Sequence, residues 1–424
     1  MKANELISLL RSGGLSKYAE LYDDVNRQSE RFIAAIESFV ESYGDDRDLA
    51  ILSVPGRSEI IGNHTDHNNG KVMAGAINRD IIAIAAKNGQ DYISFCSEGY
   101  AKDKIHLSAV CEPERFKKFT SRALIAGMAA SFVKAGHPIG GVDVYCCTEV
   151  LKGSGLSSSA AFEVMIGNIL NYLFSDGRVD NQEIAKYAQY SENVYFGKPC
   201  GLMDQMACAV GGFVYIDFLD NKNPEVRSVD LSLASHGYSL CIVNTGGNHA
   251  NLNNDYASVP SEMKAVASAL GQPVLRGLTE AQIVSCAKEL RSKVGDRALL
   301  RALHFIRENE RVEKARDALL SDDLDSFFKV IRESGHSSFE YLQNVYTTIN
   351  VSEQGLSLAI ALTDGFLSTR EGAFRVHGGG FAGTIQAFVK TSDMPEYVSL
   401  MDSVFGKGAA MALNIRPLGA TRLF

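Results

Sequence analysis

Three glycine- and polar-rich segments hold the residues best able to do chemistry: Pro55 to His67 (PGRSEIIGNHTDH), Lys152 to Ala161 (KGSGLSSSAA) and Arg375 to Gly383 (RVHGGGFAG). The middle one sets the consecutive hydroxyls of Ser157, Ser158 and Ser159 between a predicted strand and a predicted helix. A loop there presents unpaired backbone N–H groups and the positive end of the helix dipole to an anion. Glycines let the chain approach closely, and the hydroxyls donate to phosphate oxygens or ligate Mg2+. A serine cluster that only caps a helix is the plainer reading, but the strand, loop and helix order favours a polyphosphate cradle. Phosphoryl transfer is the chemistry that follows.

The cradle is not one of the common kinds. No G-x-x-x-x-G-K-[ST] sequence occurs, nor the H-R-D and D-F-G pair of protein kinases. Gly378 to Gly383 satisfies G-x-G-x-x-G, but a strand pattern follows at 384–389 where dinucleotide binding requires a helix. A hydrolytic metal site on His64 and His67 lacks the i, i+4 helical spacing and a third ligand.

The elements that must position these segments follow from periodicity. Residues 4–43 carry apolar positions at helical spacing, and Leu49–Val54 reads as a strand. Short β-branched runs at 71–76, 80–86 and 91–96 make the front third rich in strands. A helix is predicted over 120–135 and a strand over 141–149, with a helix directly after the serine loop. Further on come a helix at 181–194 and strands at 211–218 and 238–244. Residues 261–364 are almost entirely helical, notably 296–320. Strands return at 374–376 and 384–389, and the tail adds a helix at 394–405 and a strand at 409–415. The polar stretch Asp220–Ser228, with its Asn-Pro, divides the chain into 1–222 and 223–424.

At 424 residues the chain is long enough for two or three cores. Its net charge of −8 argues against nucleic acid or an anionic membrane as a partner. No stretch approaches the ~18 apolar residues of a membrane span, and no leader peptide is visible, so a cytoplasmic location is expected. Eight cysteines without C-x-x-C spacing read as reduced thiols.

Together the three segments resemble the motifs of the GHMP small-molecule kinases, and P-G-R-x-x-x-I-G-x-H-T-D resembles the galactokinase signature in particular. Cys200-Gly201-Leu202-Met203-Asp204-Gln205 is similar to the stretch that carries that family's catalytic aspartate. Asn244-Thr245-Gly246 with His249 and Tyr256, and Glu333-Ser334-Gly335-His336, extend the likeness. The resemblance implies an α+β fold of two domains: an N-terminal domain like domain 2 of ribosomal protein S5, and a C-terminal ferredoxin-like domain with added helices, with the site in the cleft between them. It implies Asp204 as the base that takes the proton of a sugar's anomeric hydroxyl, and Arg57 as its partner. Asn63, His64, Asp66, the backbone at Gly201 and Tyr256 fall at sugar-binding positions. Gly153, Ser154, Gly155, Leu156, Ser157, Ser158, Ser159 and Ala160 fall at ATP-binding ones, with Ser158 and Ser159 toward Mg2+. The implied partners are a sugar and ATP, and the implied state is a monomer or weak homo-oligomer.

Three positions depart from the galactokinase pattern, which has Glu at Asn63, Tyr at His67 and Arg at Val259. An amide both donates and accepts and carries no charge, so Asn63 removes repulsion toward a sugar carboxylate. Galacturonate is therefore an alternative substrate, and the chain resembles galacturonokinases at this point too. A non-catalytic sugar and ATP sensor is a further reading, disfavoured by the complete serine loop.

Overall fold

The computed structural model describes residues 1–150, 155–247 and 252–424, apart from the side chain of Asn253. The described strands are β1 (Ala50–Ile61), β2 (Lys71–Lys87), β3 (Tyr92–Ser97), β4 (Asp103–His106), β5 (Val142–Thr148), β6 (Phe213–Asp217), β7 (Glu225–Val229), β8 (Tyr238–Asn244), β9 (Gly372–His377), β10 (Thr384–Lys390), β11 (Ala410–Leu413) and β12 (Thr421–Arg422). The first third holds helices α1 (Ala3–Arg11), α2 (Val25–Tyr43) and α3 (Ser121–Lys134). Three more, α4 (Ser158–Phe174), α5 (Asn181–Tyr190) and α6 (Met203–Val210), follow before β6. After β8 come α7 (Asn253–Ala269), α8 (Glu280–Ser285), α9 (Ala287–Val294), α10 (Asp296–Leu320), α11 (Leu324–Ser337) and α12 (Gly355–Leu367), and α13 (Met394–Phe405) follows β10.

An eight-stranded sheet runs β12-β1-β2-β5-β3-β4, with β6 paired to the free end of β2 and β7 to β6. Every residue of β1 is buried, as expected for a strand covered on both faces. On one face Phe32, Ile36 and Phe39 of α2 pack against Ile51, Ile82 and Ile84. On the other face lies the main core, which draws on α3, α4, α5 and α6. The second sheet is antiparallel in the order β11-β8-β10-β9, with the long helical run between β8 and β9 and α13 between β10 and β11. That order and connectivity are ferredoxin-like with helices added, as the resemblance implied.

Two expectations change. The patterns at 71–76 and 80–86 are one continuous strand, because the side chain of the intervening Asn78 is absorbed by partners. Its amide donates to Asp23 at 2.6 Å, and its oxygen accepts from Asn414 N at 2.9 Å. The polar stretch expected to divide the chain at 222/223 is instead a turn between paired strands β6 and β7. Asp220 accepts there from the N–H groups of Lys222 and Asn223, a local side-chain turn that reads in sequence like a linker. Residues near the C-terminus also return to the larger sheet, where β12 pairs with β1. Among the described residues no helix is long and apolar enough to cross a membrane.

Candidate active site

Arg57 is delivered by a break in register. The pairing of β1 with β2 shifts between Pro55 and Arg57, which turns the strand locally. Gly56 has no room for a side chain there, since a Cβ would lie 2.7 Å from Leu156 O. Arg57 N donates to that same carbonyl at 3.1 Å, fastening β1 to the serine loop. Ser157 caps α4 in the left-handed region at φ 58°, a conformation that few residues other than glycine adopt. Leu156 and Ala160 point into the core, while Ser158 and Ser159 in the first turn of α4 are half-buried. Gly153 and Ser154 lie outside the described residues, as does His249.

Asp204 stands in the first turn of α6, and Arg57 grips it with both ends of its guanidinium. Nε donates to Oδ1 at 2.8 Å and Nη2 to Oδ2 at 2.7 Å. The third guanidinium nitrogen, Nη1, donates to Gly155 O at 2.6 Å, and the Ser157 hydroxyl donates to Asp204 Oδ2. Burial alone would depress the Arg57 pKa, but the Asp204 carboxylate outweighs it and the net shift is upward. The side chain of Arg57 is 10% exposed and that of Asp204 34%, so the carboxylate is the partner open to the cleft. Behind Arg57 sits buried His377, whose pKa is held well below the ordinary imidazole value by burial and by Arg57 and Arg375.

The expected sugar residues converge on a second glycine loop. Gly62 begins the turn at φ 107°, where a Cβ would lie 2.6 Å from Lys71 O. Three successive carbonyls of the segment after β9 each receive a side chain from elsewhere. Asn63 Nδ2 donates to Gly378 O at 2.7 Å, His64 Nε2 to Gly379 O at 2.9 Å, and the Tyr256 hydroxyl to Gly380 O at 2.8 Å. Burial lowers the pKa of His64 to about 4, so its ring is neutral with the proton on the nitrogen facing Gly379. Asp66 reaches the other side, with Oδ2 about 3.0 Å from where a Cβ on Gly201 would stand. The sugar loop thus touches the turn that leads into Asp204.

Asn63 is placed differently from the sequence expectation of a sugar contact. It is 1% exposed, and its amide is engaged by the protein: Nδ2 also donates to Glu59 Oε1 at 2.9 Å, and Oδ1 accepts from Asn344 Nδ2 at 2.6 Å. A glutamate at this position, an acceptor only, would set oxygen against both Glu59 and Gly378 O. Val259 is likewise accounted for by packing, as a buried member of the helical cluster with Met263 and Phe305. His67 is half-exposed, its ring 5.9 Å from that of His64.

Several buried residues behind these loops were given no role by the sequence, although Arg375 and Gln205 lie within its motif segments. Glu308 of α10 accepts from Gly62 N at 3.1 Å, Ser334 Oγ at 2.5 Å and Arg311 Nε at 2.7 Å. Burial would raise its pKa, yet Arg311, His304 and Arg375 prevail and bring it to about 2. His304 Nε2 donates to Asn63 O at 3.0 Å, and its Nδ1 faces Ser337 Oγ at 2.9 Å. Arg375, fully buried, donates to Ile60 O at 3.1 Å and meets Glu59 at 3.3 Å. Beneath α6, Gln205 Nε2 donates to Glu192 at 2.8 Å and to Glu163 at 3.4 Å. Glu163 keeps Oε1 buried without a partner, and burial together with Glu192 raises its pKa well above the usual carboxylate range. Charged residues at the core-facing spacing of α10 (301, 304, 308, 311) were the available sequence signal, because an i, i+3, i+4, i+7 stripe faces inward.

Comparison with known proteins agrees with this geometry. Residues 123–212 match the GHMP kinases N terminal domain, and residues 37–87 match the galactokinase galactose-binding signature. The chain is 30% identical over 380 residues to a galactokinase of Streptomyces coelicolor, covering 89% of this chain and 94% of the relative. It is 31% identical over 336 residues to one from Thermotoga petrophila, covering 79% and 87% respectively. The crystal structure of Lactococcus lactis galactokinase complexed with galactose superposes with a TM-score of 0.75 at 23% identity, over 91% of this chain and 98% of that one. With His64 and Tyr256 bonded to the glycine loop, and Arg57 and the Ser157 hydroxyl holding Asp204, and with relatives of this identity and coverage, the chain belongs to the galactokinase family of GHMP kinases and is a sugar kinase that binds a sugar and ATP.

Proposed function

We propose that the protein transfers the γ-phosphoryl group of ATP to the anomeric hydroxyl of galactose. The observation that carries this reading is the Arg57–Asp204–Ser157 constellation beside the loop holding His64 and Asp66. Asp204 takes the O1 proton as the O1–Pγ bond forms and the bond from Pγ to the bridging oxygen breaks, leaving ADP. Arg57 holds the carboxylate in position and places positive charge where the transferring group passes. The first turn of α4, with the hydroxyls of Ser157, Ser158 and Ser159, receives the phosphates. Gly155 and the undescribed Gly153 and Ser154 complete that loop in this reading. His64, Asp66, the backbone at Gly201 and Tyr256 orient the sugar, and Asn63 acts through the loops it joins.

The residues also fit Mg2+. No group of three His, Cys, Asp or Glu ligands occurs among the described residues, which suits a cation held by one or two carboxylates plus nucleotide phosphates. The first turn of α4 sets the half-buried hydroxyls of Ser158 and Ser159 at the mouth of the helix, oxygen ligands of the kind that Mg2+ accepts. Ser158 and Ser159 would hold the cation. When bound, it would neutralise charge on the nucleotide phosphates.

ADP release with Mg-ATP against galactose, galacturonate, N-acetylgalactosamine and glucuronate tests the assignment. Galactose is expected to give the highest kcat/KM. A higher value on galacturonate transfers the assignment to a uronate kinase, and no turnover on any sugar ends the catalytic reading.

A further inference from the structure

We propose that Asn344 is a positioning residue for the sugar end of the cleft, acting through Asn63 and the glycine loop. The proposal rests on the sugar-kinase reading of that cleft. Asn344 follows the wide helical turn Ser338–Leu342 beyond α11 and is fully buried. It is the one described residue that bonds the sugar loop and the glycine loop at once. Its Nδ2 donates to Asn63 Oδ1 at 2.6 Å and to Gly379 O at 3.1 Å, and its backbone carbonyl accepts from Phe381 N at 2.5 Å. The packing is close enough that a Cβ on Gly380 would lie 2.0 Å from Asn344 O.

The orientation of the amide is fixed by chemistry, because reversing it would set Oδ1 against two acceptors, Asn63 Oδ1 and Gly379 O. Gly379 O also receives His64 Nε2, so one carbonyl is shared between Asn344 and an expected sugar residue. Asn63 in turn is held by Glu59 and Gly378, and its backbone carbonyl by His304. Asn344 therefore sets the spacing between Asn63, His64 and the carbonyl ladder that also receives Tyr256. It reaches neither the serine loop nor the Arg57–Asp204 pair through any described hydrogen bond. Its influence falls on the sugar side of the cleft and not on the nucleotide side.

Asn344→Ala and Asn344→Asp separate positioning from general stability. With whichever sugar the parent phosphorylates best, Asn344→Ala is expected to raise the sugar KM roughly tenfold and leave the ATP KM within about twofold. Asn344→Asp, nearly isosteric but an acceptor where donors are needed, is expected to be worse than alanine. The Asn63→Ala, Asn344→Ala double variant should lose less than the sum of the two single ones, since both break the Asn63–Asn344 link. Hydrogen exchange should accelerate in peptides spanning 60–68 and 376–383 and stay unchanged at 155–165. Should alanine fail to fold, Asn344→Ser, which keeps a donor, carries the same measurements. Equal rises in both KM values, an aspartate milder than alanine, additive losses or unchanged exchange would each overturn the proposal. If the parent phosphorylates no sugar, the function assignment fails by itself, and the exchange measurement alone decides the role of Asn344.

Discussion

Acid should loosen this protein through a neutral buried histidine, and His304 allows the size of the effect to be worked out. Its ring is fully buried, donating through Nε2 to Asn63 O and facing Ser337 through Nδ1. Burial is the main cause that lowers its pKa from 6.5 to about 4. Arg311 and His64 push the same way, while Glu308 and the Asn63 carbonyl oppose. In the unfolded chain the imidazole takes up a proton as pH falls through 6.5, whereas in the folded chain it does so only near 4. Stability is therefore full above 6.5, is lost as pH falls between 6.5 and about 4, and loses nothing more from this group below that. At about 1.4 kcal/mol per pH unit the loss is roughly 3 kcal/mol, a large part of the ~5–15 kcal/mol that folded proteins have. Urea unfolding of the parent and of His304→Gln, from about pH 7 down to about pH 4, isolates it, because His64, His377 and Glu308 titrate in both. The variant starts less stable but should lose about 3 kcal/mol less than the parent across that window. Parallel curves for the two proteins would refute the reasoning. The sugar KM of the parent should also rise within the same window, since His304 holds the loop that carries His64.

Asp204→Ala should lower kcat at least ~100-fold while nucleotide binding, followed by fluorescence titration, stays close to the parent's. Turnover near the parent's would remove Asp204 from the reaction. Gly379→Ala would bring a methyl group to 2.2 Å from the Tyr256 ring. The shift needed to relieve that contact, about 1–2 kcal/mol, predicts a roughly tenfold rise in sugar KM, and an unchanged value would mean the glycine loop does not shape the sugar site.

The parts of the chain that sequence made legible are those with strong local signals. The bounds expected for 238–244, 296–320 and 394–405 coincide with β8, α10 and α13. The strand at 384–389, which excluded the dinucleotide reading, is β10. Asp204 and Arg57 were named by motif from positions 147 residues apart, and the structure joins them by two hydrogen bonds. What stayed hidden has partners remote in sequence: Asn344 and Asn63 are separated by 281 residues, Arg375 and Ile60 by 315. Nothing in the local pattern around Asn344 marks it as more than a loop residue. Asn63 is a different case: its motif position pointed to the sugar, and in the structure its amide donates to Glu59, four residues away and buried. The asparagine at 78 and the Asn-Pro near 223 misled for a shared reason, since polar punctuation reads alike whether it ends an element or is satisfied inside one.

The pairing of β12 with β1 also bears on how the molecule is made. Ile51 N donates to Phe424 O, and Leu52 and Ser53 stand opposite Arg422 and Thr421. A ribosome must therefore deliver Thr421 and Arg422 before the border of that sheet can close, so that edge waits until then, open to chaperones or to neighbouring nascent chains.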